Sequence, residues 1–320
     1  MLWPLEVFTG TVNDTSAEPL RISRTRHKPA AMSIEPEEFQ IVTVQSGARS
    51  VRSREFGETF HPVIGPMAEA RALHVRGQRL PERAAETPGP FVVWDVGLGA
   101  AANAVAVLEA CSNLQVEIHS YDRASEPLAF ALRHAEELEY LAPFRPAIVA
   151  LLAEGRARVG KIEWHFHRGD FNEAMTNPGI PAPHAVLYDP YSPATNADMW
   201  TLEHFTRLHA RLDPARPCLL TNYTRSTAVR VTLLLAGFFV GHGHATGEKD
   251  QTTIAANACD LLDDPLPLAW LDRVARSTRG APLRLGKAGA RIEADDLARL
   301  RTHPQFATTA TTIPRPAAAR

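Results

Sequence analysis

Cysteine is scarce in this chain. Its 320 residues hold only Cys111, Cys218 and Cys259, far apart and without a C-x-x-C pair. That argues against a disulfide framework and against a zinc site, and it fits a reducing, cytoplasmic setting. Long hydrophobic runs are missing as well. No apolar stretch approaches the roughly 20 residues that cross a bilayer, and no basic region followed by an apolar core opens the chain, so neither a membrane span nor a secretory signal is expected. An excess of charge is also lacking: the formal net charge is −2. No overall basic field announces nucleic acid, though a local basic patch is compatible with that balance. There is no internal repeat. What remains is a globular composition, 45% apolar and 22% charged, in a chain long enough to bury a sizeable core.

The chain is organised around Phe91 to Cys111, F-V-V-W-D-V-G-L-G-A-A-A-N-A-V-A-V-L-E-A-C. An apolar run turns through Gly97 and Gly99 into an Ala-rich segment that reads as a buried helix. A strand feeding a helix through glycines brings backbone N–H groups close to a ligand at the helix N-terminus. A Cβ would block that approach. We read this as the loop for a nucleotide-type cofactor.

Around it the pattern predicts four regions. Residues 1–35 form a loosely ordered arm. Residues 36–90 hold a hairpin (Phe39 to Val44 with Ala48 to Ser53), a helical stretch over Val63 to Val75 and a Pro-rich connector over Pro81 to Pro90. Residues 91–257 alternate strand and helix. The strands are Phe91 to Trp94, Gln115 to Tyr121, Lys161 to His167, Ala185 to Tyr188, Pro217 to Asn222, Phe238 to Gly241 and Thr252 to Ala256, the last two as an antiparallel hairpin. Helices are expected over Glu126 to Leu141, Ala147 to Ala157, Asp198 to Leu212 and Ser226 to Ala236. Residues 258–320 form an extension with a helix near Asp295 to Arg301. The fold class is therefore α/β, Rossmann-like, with a seven-stranded, mostly parallel sheet, helices on both faces and a small N-terminal hairpin and arm. Ligands of such folds sit at the carboxyl ends of the strands.

Polar residues fall at those ends. Asp122 closes the second strand, where a carboxylate accepts both hydroxyls of a ribose; the alternative is a helix cap. Asp170, in R-G-D-F, is placed to accept an adenine amine with Phe171 on the ring, or equally to cap the next helix. Asp189, in L-Y-D-P-Y-S-P, is the sharpest candidate. Two prolines stiffen its loop, so it is a rigid carboxylate facing the cofactor; the alternative is an Asx-turn. The pairs His165/His167 and His242/His244 lack the convergent third ligand a metal needs, and no metal site is expected.

These residues resemble the methyltransferase domain of the bifunctional tRNA-modifying protein MnmC. The family loop G-x-G-T-G-x-N compares with Gly97 to Asn103. The family stretch L-D-G-F-A-P-x-x-N-P-x-M-W compares with Leu187 to Trp200, L-Y-D-P-Y-S-P-A-T-N-A-D-M-W. A segment of the type G-E-x-Y-F-S-x-x-x-G-L-E-E-x-R compares with Phe56 to Arg71. The resemblance covers roughly residues 53–257. It implies an S-adenosylmethionine-dependent methyltransferase acting on 5-aminomethyl-(2-thio)uridine at the tRNA wobble position. It further implies that Glu69, Gly97, Gly99, Asn103, Asp122 and Asp170 bind the cofactor and that Asp189 is catalytic, with Phe56 to Arg71 folded over the crevice and Glu69 at the methionine end. No oxidase domain is read after the methyltransferase region, so a separate enzyme is expected to supply the aminomethyl precursor.

The chain departs from the family at Ala100 and Ala101, at Pro190-Tyr191, and at G-E-K-D (247–250), where the family carries a basic G-R-K-R-like turn. Three other readings stay open on the sequence: a methyltransferase with a different small-molecule or RNA acceptor, an NAD-dependent oxidoreductase using the same loop, and a non-catalytic member that binds a cofactor or a partner.

Overall fold

The computed structural model describes residues 38–247, 250–285 and 289–307. The expected arm at 1–35 lies outside them, as do two positions of the 247–250 turn.

Two strands, β1 (Phe39–Thr43) and β2 (Arg49–Ser53), pair antiparallel as the expected hairpin. The main sheet follows in chain order: β3 (Phe91–Val96), β4 (Val116–Asp122), β5 (Arg156–Val159), β6 (Ile162–Arg168), β7 (Ala185–Tyr188), β8 (Leu219–Asn222), β9 (Phe239–Gly243) and β10 (Thr252–Ala256). Their spatial order is β5-β6-β4-β3-β7-β8-β10-β9. The five central strands are parallel; at one edge β5 pairs antiparallel with β6, and at the other β10 pairs antiparallel with both β8 and β9.

Strand β3 occupies the middle because every one of its residues can be buried. Phe91 and Val93 join the core on one face of the sheet; Val92, Trp94 and Val96 join the core on the other. That alternation is the period of a strand covered on both sides. Helices Ala102–Ala110, Glu126–Arg133 and Arg145–Glu154 cover the first face, and Leu202–Ala210 and Thr227–Leu235 cover the second. Asp95 is the polar exception in β3. It is fully buried, accepts a hydrogen bond from Ser120 Oγ at 2.7 Å, and burial pushes its carboxyl up to about 7.

The chain builds outward from β3 to β4 and β6, then returns to place β7 on the opposite side of β3. The crevice of a doubly wound sheet opens at such a reversal, beyond the carboxyl ends of the strands.

Several elements differ from the sequence expectation. Among the described residues the sheet has eight strands rather than seven, because the helix ends at Glu154, Gly155 turns at φ +71, and Arg156–Val159 pairs with β6. The Pro-rich connector contains the helix Leu80–Glu86, whose Pro81 sits in the first turn, where a missing N–H costs nothing. The long helix near 198–212 is two pieces, a 3-10 turn Ala197–Trp200 and the helix Leu202–Ala210. The cap of the latter is Thr201, whose hydroxyl accepts from His204 N. The helix after Glu126 stops at Arg133 and restarts as Ala135–Leu138. Residues past 258 carry Trp270–Arg276 and Pro304–Ala307 besides Ala294–Arg301.

Candidate active site

The loop after β3 makes two contacts that only glycine permits. Gly97 lies at φ +93, and a Cβ on it would fall 2.5 Å from the carbonyl oxygen of Asp189. The loops after β3 and β7 therefore touch backbone to backbone. Gly99 lies at φ +49, with the Phe60 ring 3.2 Å from where its Cβ would be. Ala101 holds the left-handed conformation too, at φ +61, and opens the helix Ala102–Ala110. That conformation costs an alanine roughly 1 to 2 kcal/mol, and burying the methyl returns about 0.8 kcal/mol, so the departure from the family glycine is partly offset.

A cavity of about 460 Å³ lies over this loop. Its floor is Gly97 to Ala100 with Asp122 and Asp189, and its other wall is the segment 55–62 with Glu69. The N-terminal segment thus covers the crevice. Asp122 accepts from Gly99 N at 2.9 Å on one oxygen and from Ala124 N at 3.1 Å on the other. Each oxygen keeps a second lone pair for a ligand hydroxyl. Burial raises the Asp122 carboxyl above its ordinary range, against the pull of those N–H groups.

Asp189 receives a hydrogen bond from Asn103 Nδ2 at 2.9 Å. Asn103 stands in the first turn of the helix after the glycine loop, so the cofactor loop and the acidic loop are joined through side chains as well. Among the described residues the Asn103 Oδ1 atom is buried without a hydrogen-bond partner. Asp170 is placed differently. It caps the helix Phe171–Ala174 through Asn172 N at 2.7 Å and pairs with Arg123 at 2.8 Å. Burial pulls its carboxyl up, but the Asn172 N–H and the Arg123 guanidinium outweigh that and hold it low. Its neighbours Gly169 and Phe171 line the cavity, whereas Asp170 does not. Of the seven sequence candidates, then, Glu69, Gly97, Gly99, Asp122 and Asp189 meet at one cavity, Asn103 supports Asp189 from behind, and Asp170 caps a helix between two residues that line that cavity.

Three groups that the sequence did not single out complete the site. Glu58 accepts from Ser192 Oγ at 2.7 Å, from Ser192 N at 3.3 Å and from Thr195 Oγ1, tying the N-terminal wall to the loop after Asp189. Tyr191 packs between Phe56 and Phe60, with ring centroids 4.8 and 5.7 Å away. His61, at φ +49, lies between Glu69 and Asp189. The only signal for Glu58 and His61 was the density of polar and aromatic residues in E-F-G-E-T-F-H, and Tyr191 lay in D-P-Y-S-P beside Asp189. The histidine pairs lie elsewhere: His165 and His167 stack on His119 across β4 and β6, and His242 pairs with Asp264.

The residues present suit S-adenosylmethionine. Glycines 97 and 99 leave room for close approach, Asp122 suits a ribose, and among the described residues six carboxylates line the cavity against one guanidinium, that of Arg123. Such a balance favours a cationic sulfonium and ammonium.

A family profile described as S-adenosyl-L-methionine-dependent methyltransferase matches residues 137–258. The chain is 30% identical over 207 residues to the tRNA 5-methylaminomethyl-2-thiouridine biosynthesis bifunctional protein MnmC of Burkholderia mallei (strain SAVP1), covering 59% of this chain and 31% of that protein. Against the same-named protein of Methylibium petroleiphilum it is 27% identical over 247 residues, 73% of this chain and 37% of the relative. The chain thus spans about a third of the length of these relatives. In fold it is similar to the crystal structure of MNMC2 from Aquifex aeolicus, with a TM-score of 0.61 at 24% identity, covering 83% of this chain and 86% of that one. No helix among the described residues is long and apolar enough to cross a membrane. Over the shared region the chain is thus similar to the S-adenosyl-L-methionine-dependent methyltransferase profile and to the MnmC proteins.

Proposed function

We propose that the chain methylates the primary amine of 5-aminomethyl-(2-thio)uridine at the wobble position of tRNA, in the cytoplasm, with a separate enzyme supplying the aminomethyl precursor. The observation that carries this reading is the place of Asp189. Its backbone touches Gly97 and its carboxylate is braced by Asn103, so an acceptor held there lies beside the cofactor loop.

S-adenosylmethionine, when bound, supplies an electrophilic methyl group on a sulfonium. Glycines 97 and 99 admit it, Asp122 holds its ribose, and Glu69 faces its cationic end. The protein's own work is largely positioning and desolvation. Asp189 orients the amine and stabilises the positive charge that grows on nitrogen. Tyr191, Phe56 and Phe60 offer aromatic faces on which an unstacked base can lie.

A second reading has its own support. The excess of carboxylates around the cavity, together with G-E-K-D in place of a basic turn, suits a small cationic amine better than a polyanionic RNA. The experiment is transfer of labelled methyl to undermodified tRNA carrying 5-aminomethyluridine and, in parallel, to small primary amines. Transfer to the tRNA supports the first reading. Transfer to small amines alone replaces it with the second. Asp189→Ala should lose roughly a hundredfold or more in turnover on the true acceptor while S-adenosylhomocysteine still binds; equal turnover removes Asp189 from catalysis.

A further inference from the structure

We propose that His61 is the base that takes the proton an acceptor ammonium must lose before methyl transfer. The inference rests on the amine-methyltransferase reading above.

The imidazole is placed for this and for little else. Its side chain is 11% exposed on the cavity wall, with Nε2 3.7 Å from Asp189 Oδ2 and Nδ1 3.9 Å from Glu69 Oε2. Both distances exceed hydrogen-bond length. Structural histidines in this fold behave otherwise. His184 accepts from Val92 N at 2.8 Å, and His204 sits between Tyr188 Oη and Asn172 Oδ1, each at 2.8 Å. His61 also occupies the left-handed region, at φ +49. That conformation is unfavourable for a non-glycine residue and is kept where the surroundings impose it, often at functional sites.

The groups that face the ring come from three elements. Glu69 lies on the helix Pro66–Ala70, Asp189 follows β7, and His74 lies in the π-helical turn Arg71–Arg76. His74 is fully buried. Burial, with His61 nearby, pushes it down to about 3, so it stays neutral and does not compete for the proton.

The steps balance. An ammonium held by Asp189 gives one proton to His61 Nε2. The freed lone pair on nitrogen bonds to the methyl carbon as the methyl–sulfur bond breaks, its electron pair remaining on sulfur. The acceptor leaves as a secondary ammonium, and His61 returns its proton to solvent between turnovers. Glu69 steadies the imidazolium meanwhile.

The test uses the full chain with whichever amine acceptor the transfer assay identifies. Wild-type kcat/KM should be level with pH from neutrality up to the acceptor's own titration, because the enzyme accepts the ammonium form. His61→Asn suits the same backbone conformation without supplying a base. Its kcat should fall by about a hundredfold or more, with KM and S-adenosylhomocysteine affinity little changed, and its kcat/KM should climb about tenfold per pH unit over that range. His61→Gly also fits the backbone, and added imidazole should restore part of its rate. A wild-type profile that itself climbs tenfold per unit, or an Asn variant with wild-type kcat, overturns the proposal. Should both variants lose S-adenosylhomocysteine binding, the wild-type profile decides alone. A protein that binds S-adenosylhomocysteine yet methylates no amine refutes the functional reading itself.

Discussion

Ser192 Oγ donates a hydrogen bond to Glu58 Oε1 at 2.7 Å across 134 positions of sequence. This contact joins the wall of the cavity that precedes the Rossmann-like core to the loop that carries Asp189. A hydrogen bond to a charged acceptor contributes about 1.5 to 3 kcal/mol, and Glu58 accepts three. The three share one carboxylate and do not add, so Glu58→Ala should lower stability by roughly 2 kcal/mol. It should also open the segment 53–62 to proteolysis at Arg52 and Arg54, measured by limited trypsin digestion. Unaltered digestion would show that the aromatic packing of Phe56 and Phe60 on Tyr191 holds the wall by itself.

Gly97→Ala tests whether the two loops must touch. The added Cβ meets the backbone of Asp189 at 2.5 Å, and φ +93 is unsuited to alanine. Neither obstacle is a flexible side chain. Chemical denaturation should show a loss of about 2 kcal/mol or more, and calorimetry should show no S-adenosylhomocysteine binding.

Asp122→Ala should weaken S-adenosylhomocysteine binding by about 1 to 3 kcal/mol, the usual scale for hydrogen bonds to a carboxylate. Part of that loss comes from the loop, since Gly99 N loses its acceptor. Because burial raises the Asp122 carboxyl, affinity should also fall earlier on acidification than for an ordinary aspartate. Unchanged affinity removes Asp122 from the site.

Asp95 makes a pH-dependent contribution of predictable sign. Its folded carboxyl stands at about 7, above its ordinary 3.8, because burial disfavours the charged form. The folded state holds the proton more tightly than the unfolded state does. The stability this lends is present below about pH 4 and is lost as pH rises through 7. Asp95→Asn retains an acceptor for Ser120 and removes the titration. Melting curves from pH 4 to 8 should show a smaller decline with rising pH in the variant than in the wild type; parallel curves would show that Asp95 does not titrate there.

By itself the sequence determined the strand–helix alternation, the glycine loop, and the carboxylates at strand ends. Those follow from local rules: the two-residue period of β3, the need for glycine at a strand-to-helix turn, and the polarity of residues just past a buried strand. It could not separate the two readings of Asp170, because a carboxylate before a helix serves as a cap or a ligand according to what lies opposite, and Arg123 lies opposite. Strand β5 was illegible because R-A-R-V becomes a strand only when β6 offers it an edge. The tertiary structure alone decided that His61 lies between Glu69 and Asp189, and that Glu58 reaches Ser192. Contacts over such separations depend on how the segment before β3 packs against the loop after β7, and no local pattern records that packing.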